Sequence, residues 1–177
     1  MDWSIRSIPA HGPLFEGAIA VYGEAFGQPP YSDPDRGREV RERMRDTHAS
    51  RPGFRFLVAC VGTERVVGMA YGYHGSFGQW WHDTVARALK PLEAAEWLGD
   101  SYELVEIAVH PAVQSQGIGA GLIAKLLEGR PEATCVLSTR TDSDAHNLYR
   151  RLGFETIIEM PFVNGGYPFY VMGKKLR

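Results

Sequence analysis

Cysteine is scarce. Cys60 and Cys135 are the only two in 177 residues, each inside an apolar strand-like run and neither in a C-x-x-C, so a disulfide framework and a zinc site both lack ligands and no metal is expected. The two thiols read as buried small hydrophobes. No apolar run approaches the roughly 20 residues that span a bilayer. The start, Met1-Asp2-Trp3-Ser4, has neither a basic n-region nor an apolar h-region, so the expected location is cytoplasmic with no membrane partner. Charge of one sign is not in excess either: 19 Lys plus Arg stand against 21 Asp plus Glu, a net −2. The one arginine-rich stretch, Arg36 to Arg45, is interleaved with Glu39 and Glu42 and followed by Asp46, which reads as a solvated helix face and leaves little electrostatic case for nucleic acid. Repeats and low-complexity segments are missing.

What is present is an ordinary globular composition, 44% hydrophobic, in a length that suits one domain over residues 1–177. Trp3 to Ile8 alternates as a strand, and Pro13 to Phe26 carries Leu14, Ala18, Val21, Tyr22 and Ala25 at helical spacing. A second helix fits Asp33 to His48. Phe54 to Val61 and Val66 to Tyr73 read as an antiparallel hairpin. Trp80 and Trp81 precede a helix, Thr84 to Trp97, bent or interrupted at Pro91. Then come a strand (Tyr102 to Val109), a helix (Gly117 to Leu127), a strand (Thr134 to Thr139), a helix (Ala145 to Leu152) and two terminal strands, Glu155 to Met160 and Phe169 to Lys174. The order describes a mixed sheet with helices packed on it, in the α/β or α+β class.

The segment from Val109 to Gly121 joins a strand to an amphipathic helix. The first N–H groups of a helix have no intrahelical partner and sit at the positive end of its dipole, so such a junction can hold a diphosphate, and glycines let the phosphate come close. A tight turn with glycines for packing alone is the plainer reading. A P-loop would need Gly-Lys-Ser/Thr, which does not follow Gly117, and a dinucleotide fingerprint would need a glycine where Leu122 stands.

Gln114-Ser115-Gln116-Gly117-Ile118-Gly119 does resemble the Q/R-x-x-G-x-G/A signature of the GNAT superfamily of N-acetyltransferases. Ala145-His146-Asn147-Leu148-Tyr149-Arg150-Arg151-Leu152-Gly153-Phe154 resembles that family's A-x-x-L-Y-x-x-x-G-F helix and turn. The resemblance implies a mostly antiparallel central sheet of six to seven strands with helices on both faces, and acetyl-coenzyme A as co-substrate. It also implies that backbone N–H groups of Gln114, Ser115, Gln116, Gly117, Ile118, Gly119 and Ala120 hold the pyrophosphate. Ile107, Ala108 and Val109, on a strand that splays from its neighbour, would take the pantetheine arm and supply the oxyanion donor. Ser115 and Gln116 stand where basic residues are frequent, and Asp142 where many relatives carry an asparagine near the pantetheine. Asn147 is a second polar group for that arm.

Attack of an amine on a thioester needs a neutral nucleophile, a stabilised oxyanion and a proton for the leaving thiolate. A lysine-type amine is neutral in only about one molecule in 2,500 at pH 7, so a base matters most for such acceptors. Glu103 shares a strand face with Val105, Ile107 and Val109, while Glu106 lies with Leu104 and Ala108 on the other. Glu103 stands eleven positions before Gln114, the spacing at which several family members carry their base, and Glu106 is the second choice. Either could instead be an exposed strand carboxylate without a chemical task. By resemblance Tyr149 acts as general acid toward the thiolate.

His110 before Pro111 reads as structural. His74 and His82 flank the acceptor side and could serve as bases, although a lone loop histidine is usually bland. Tyr73, Phe77, Trp80 and Trp81, set among Gly72, Gly75 and Gly78, suggest either a mobile aromatic segment over the acceptor pocket or a helix anchored by its tryptophans. Tyr31, Tyr167 and Tyr170 could add to the wall. The acceptor is expected to be an amine of a small molecule or peptide, and the terminal hairpin with the tryptophan segment could form a homodimer contact. A catalytically idle coenzyme A-binding module is the alternative, opposed by the presence of both Glu103 and Tyr149.

Overall fold

Helical spacing that starts at Pro13, whose missing N–H costs nothing in a first turn, runs unbroken to Phe26 and forms helix α1 (Pro13–Phe26). The computed structural model describes all 177 residues. Helices α2 (Arg36–Asp46), α3 (Trp80–Ala88), α4 (Pro91–Leu98), α5 (Ile118–Leu127) and α6 (Ala145–Arg151) follow it. Strands are β1 (Trp3–Ser7), β2 (Arg55–Val61), β3 (Arg65–His74), β4 (Ser101–Val109), β5 (Thr134–Arg140), β6 (Glu155–Pro161) and β7 (Pro168–Lys175). They form a mixed, mostly antiparallel seven-stranded sheet in the order β1-β2-β3-β4-β5-β7-β6. The hairpins β2–β3 and β6–β7 are antiparallel, as the turn residues between them require, and β4–β5 is parallel.

The chain forms two compact units, with β4 contributing to each: Met1–Tyr73 with Val105–Glu128, and His74–Leu104 with Gly129–Arg177. In the first, Phe15, Tyr22, Val40, Met44, Phe56, Val58, Met69 and Tyr71 make the core. Helix α5 lies close on β1 and β3 because glycines leave room for it. A Cβ on Gly121 would stand 2.7 Å from the Trp3 ring, and one on Gly68 3.0 Å from Ile118. Arg55 donates to the carbonyls of Leu126 (2.8 Å) and Glu128 (2.9 Å), satisfying acceptors that the end of α5 leaves open.

In the second unit Val85, Trp97, Leu98, Val136 and Val171 form the core. The Trp97 ring lies against β7 where a Cβ on Gly173 would come within 2.5 Å of it. Trp81 donates its indole N–H to Ser138 Oγ at 2.9 Å, and both Trp80 and Trp81 pack near Phe162. The helix expected from Thr84 is broken at Pro91, as anticipated, but its first half begins already at Trp80. The tryptophans therefore lie inside the helix and do not precede it, which favours the anchored helix over a mobile segment.

The stretch Arg36 to Arg45 has the expected solvated face and also a buried one. Val40 and Met44 are fully buried, and Arg36 turns inward to Tyr22, donating from Nε at 2.9 Å. Arg38 and Glu42 do stay on the wet side, 3.6 Å apart. Both cysteines are buried, as expected, and no helix is long and apolar enough to cross a membrane.

Candidate active site

The loop that leaves β4 is built to present backbone amides. His110 folds its ring back so that Nδ1 accepts from the Ala112 N–H (3.1 Å), closing a 3-10 turn over Pro111–Val113 whose Val113 is buried. Gln114 Nε2 donates to the Val109 carbonyl at 3.1 Å, tying the loop's far side to the strand end. Ser115 (φ 63°) and Gly117 (φ 81°) then take left-handed backbone, and a Cβ on Gly117 would meet nothing within 4 Å. Gln114, Ser115, Gln116 and Gly117 are exposed.

Helix α5 starts on this turn. Its first intrahelical bond runs from the Gly121 N–H to the Gly117 carbonyl, 3.0 Å. The N–H groups of Ile118, Gly119 and Ala120 therefore precede the hydrogen-bond ladder, at the positive end of the helix dipole. Such a surface accepts an anion, and open space beside Gly117 leaves room for a bulky one.

The two strand glutamates are not exposed carboxylates, so that reading is corrected for both. Glu103 is 4% exposed and is the last β4 residue in register with β5, opposite Val136. The register covers only Ser101 to Glu103, while β4 itself continues to Val109. Glu106 lies in the first unit with its side chain 12% exposed. The Tyr22 hydroxyl donates to it, and burial holds its carboxyl above the usual carboxylate range against the opposing pull of Arg36, Tyr22 and Arg43. Arg43 Nη2 comes to 3.8 Å of Glu106 Oε1.

A cationic and aromatic cluster surrounds Glu106. The Arg36 guanidinium lies 4.3 Å above the Phe26 ring and 5.0 Å from that of Tyr31. Tyr71, which burial keeps well above the ordinary phenol range, meets His48 Nδ1 at 2.9 Å, and Arg51 donates to Tyr73 OH at 2.6 Å. Burial and the two neighbouring arginines, Arg51 and Arg43, push the His48 imidazole down to about 4.

Sequence reading did not find this cluster, since its members come from α1, α2, β3, β4 and the 3-10 turn His48–Ser50. A signal existed in Tyr22. A tyrosine in the middle of an apolar helical stripe needs partners for its hydroxyl, and Arg36 and Glu106 are those partners.

In the second unit Tyr149 is buried, with its ring edge-on to Phe154 at 5.9 Å. The turn it belongs to closes through Phe154 N–H to the Tyr149 carbonyl, 3.0 Å, with Gly153 at φ 93°. Asp142 is bound by Arg140 in a two-pronged contact of 3.0 and 2.7 Å, which holds its carboxyl below the usual range. Asn147 is exposed on α6. His82, offered as a possible base, is a buried helix residue with Nε2 3.1 Å from the Leu98 carbonyl. His74 lies 3.4 Å from the buried Glu132, which also pairs with Arg130.

Residues 52–156, more than half of the chain and including the amide loop, both glutamates and Tyr149, match the family model of the GNAT acetyltransferase domain. The chain belongs to the GNAT acetyltransferase family. It is 37% identical over 121 residues to the GCN5-like protein acetyltransferase Rv2170 of Mycobacterium tuberculosis; the match takes in 63% of this chain and 59% of that relative's length. The fold is shared by a GNAT-family protein from Desulfovibrio desulfuricans (TM-score 0.68, 16% identity, 99% and 100% of the two chains). It is shared too by the PaiA N-acetyltransferase of Thermoplasma acidophilum solved with coenzyme A (TM-score 0.64, 16% identity, 99% of each chain).

Proposed function

We propose that residues 1–177 work as one acyltransferase domain that moves an acetyl group from acetyl-coenzyme A to a primary amine of a small molecule or peptide, in the cytoplasm, by direct attack. Family membership carries the acyl-transfer class, and the coenzyme bound in the PaiA enzyme supports the donor. The observation that carries the donor side in this chain is the amide turn at Gln114 to Ala120, with unladdered N–H groups at Ile118, Gly119 and Ala120 and open space at Gly117. These amides hold the pyrophosphate. Backbone groups of Ile107, Ala108 and Val109 take the pantetheine arm and polarise the thioester oxygen, at the place where β4 runs on past its short register with β5. Asp142 and Asn147 contribute polar contacts further along that arm. Bound acetyl-coenzyme A supplies the activated acyl group.

Glu103, where that register ends, removes the proton from the incoming ammonium. Its carboxyl is buried, at the end of the β4–β5 register, out of competition with bulk water for the proton it removes. Tyr149 delivers a proton to the departing thiolate. One observation favours a second assignment of the base. Burial raises the Glu106 carboxyl, and the Tyr22 hydroxyl orients it. Replacing each glutamate in turn separates the two. The variant lacking the base loses the acidic limb of the kcat/KM pH profile, so its deficit is smallest at low pH and largest on the plateau above that limb, whereas an unchanged profile removes that residue from the mechanism.

Tyr149→Phe is expected to slow turnover by roughly 10²–10⁴-fold while coenzyme A titration still saturates; full activity would strike out the acid. If calorimetry shows saturable acetyl-coenzyme A binding but a wide amine and peptide panel releases no thiol, the chain is an idle coenzyme-binding module. No binding at millimolar coenzyme ends the assignment altogether.

A further inference from the structure

Two guanidinium groups, Arg36 and Arg43, act on the Glu106 carboxylate, and a third, Arg51, joins Arg43 beside His48; the three are not equally engaged. Arg36 is committed: it donates to Tyr22, lies over Phe26 and Tyr31, and faces Glu106 through the Tyr22 hydroxyl. Arg43 is 51% exposed and stays 3.8 Å from Glu106 Oε1, outside hydrogen-bond reach. Arg51 donates one N–H to a neutral phenol, Tyr73 OH, and stacks on the same ring at 4.7 Å. Each guanidinium carries five N–H donors in a planar fork that fits a carboxylate. Burial is the main reason that His48 binds its proton weakly, and the charges of Arg51 and Arg43, both close to its ring, add to it.

An acceptor amine enters as an ammonium, which a surplus of positive charge repels unless the acceptor brings an anion of its own. Resting on the acetyltransferase reading above, we infer that the acceptor carries a carboxylate near its amine and that Arg43 and Arg51 receive it. The carboxylate has two possible sources: the α-carboxylate of a free amino acid, or an acidic side chain next to a peptide's N-terminus.

The test measures kcat/KM by thiol release for matched acceptors, free amino acids against their amides and peptides with Asp or Glu as second residue against Asn or Gln. The acid form of at least one pair should lead by roughly tenfold or more, the size of one charge-assisted hydrogen bond, and the pair that responds names the source. In Arg43→Gln and Arg51→Gln the acid-to-amide ratio should fall toward unity, and added salt should lower it in the wild type. Equal or better use of the amide forms in both pairs by the wild-type enzyme overturns the inference without need of any variant. So does an acid preference that survives the double replacement. Either result leaves the acetyltransferase standing, because coenzyme binding and thiol release persist; loss of those two signals in the wild type overturns the parent reading and this one together.

Discussion

His48 lies against Tyr71 and Tyr73 with Arg51 and Arg43 close by, and the consequence is measurable without any substrate. Its folded-state pKa is about 4, against 6.5 for an ordinary histidine. Above pH 6.5 the ring is neutral in folded and unfolded chain alike. As pH falls from 6.5 the unfolded chain takes up the proton first, so stability drains away until the folded ring also protonates near 4. The full difference between 6.5 and about 4 corresponds to about 3.4 kcal/mol, and solvent reaching the half-buried ring brings the loss below that. Urea midpoints at pH 7 and 4.5 should separate by less in His48→Gln than in the wild type; parallel slopes would mean that the ring is not held neutral. Glu103, Tyr149 and the loop residues could be named from sequence because each sits inside a contiguous motif. Tyr22, Arg36, Arg43 and Arg51 could not, because only tertiary packing brings a helix stripe, a charged helix and a strand's second face to one carboxylate.

Most strands and helices were legible to within a residue or two, since period 2 and period 3.6 are properties of local sequence and Gly and Pro punctuate them, although α2 begins three residues after the expected Asp33 and ends two before His48. What escaped was too short to show a period: the 3-10 turns at His48–Ser50 and Pro111–Val113, and the first turn of α3, where Trp80 and Trp81 look like loop aromatics until Ser138 and Phe162 are seen beneath them. Gly173 gives the strand level its own test. A Cβ there would stand 2.5 Å from the Trp97 ring and 2.8 Å from Ile157 Cδ1; the half-buried Ile157 can turn its end aside, but the buried Trp97 ring cannot yield cheaply. Gly173→Ala should cost about 1–3 kcal/mol, as overpacking does, and lower Tm by roughly 2–4 °C per kcal/mol in a chain of this size. A wild-type melting curve for that variant would show that the Trp97–β7 contact is looser than described.

For the molecule as a whole, the β2–β3 and β6–β7 hairpins followed from the turn residues between their strands, whereas the position of β7 between β5 and β6 has no local signature and follows from long-range pairing alone. Donor binding offers a global readout. A ligand held only by the folded state at a hundred times its Kd adds about 2.7 kcal/mol, so acetyl-coenzyme A should raise Tm by roughly 5–10 °C. Acetyl-pantetheine, which lacks the diphosphate and nucleotide, should do far less if the amide turn is the main grip. An equal shift from both would move the binding energy elsewhere.

Ser115 holds left-handed backbone that its Cβ disfavours, at a cost of order 1 kcal/mol. Drift at this position is therefore filtered by handedness before side-chain chemistry has any say: glycine would relax the turn, asparagine would sit there without much complaint, and a valine or isoleucine would unseat the amides on either side. A lineage that lost its basic residues from this loop could thus still keep its grip on an anion, because the grip is written in main-chain geometry.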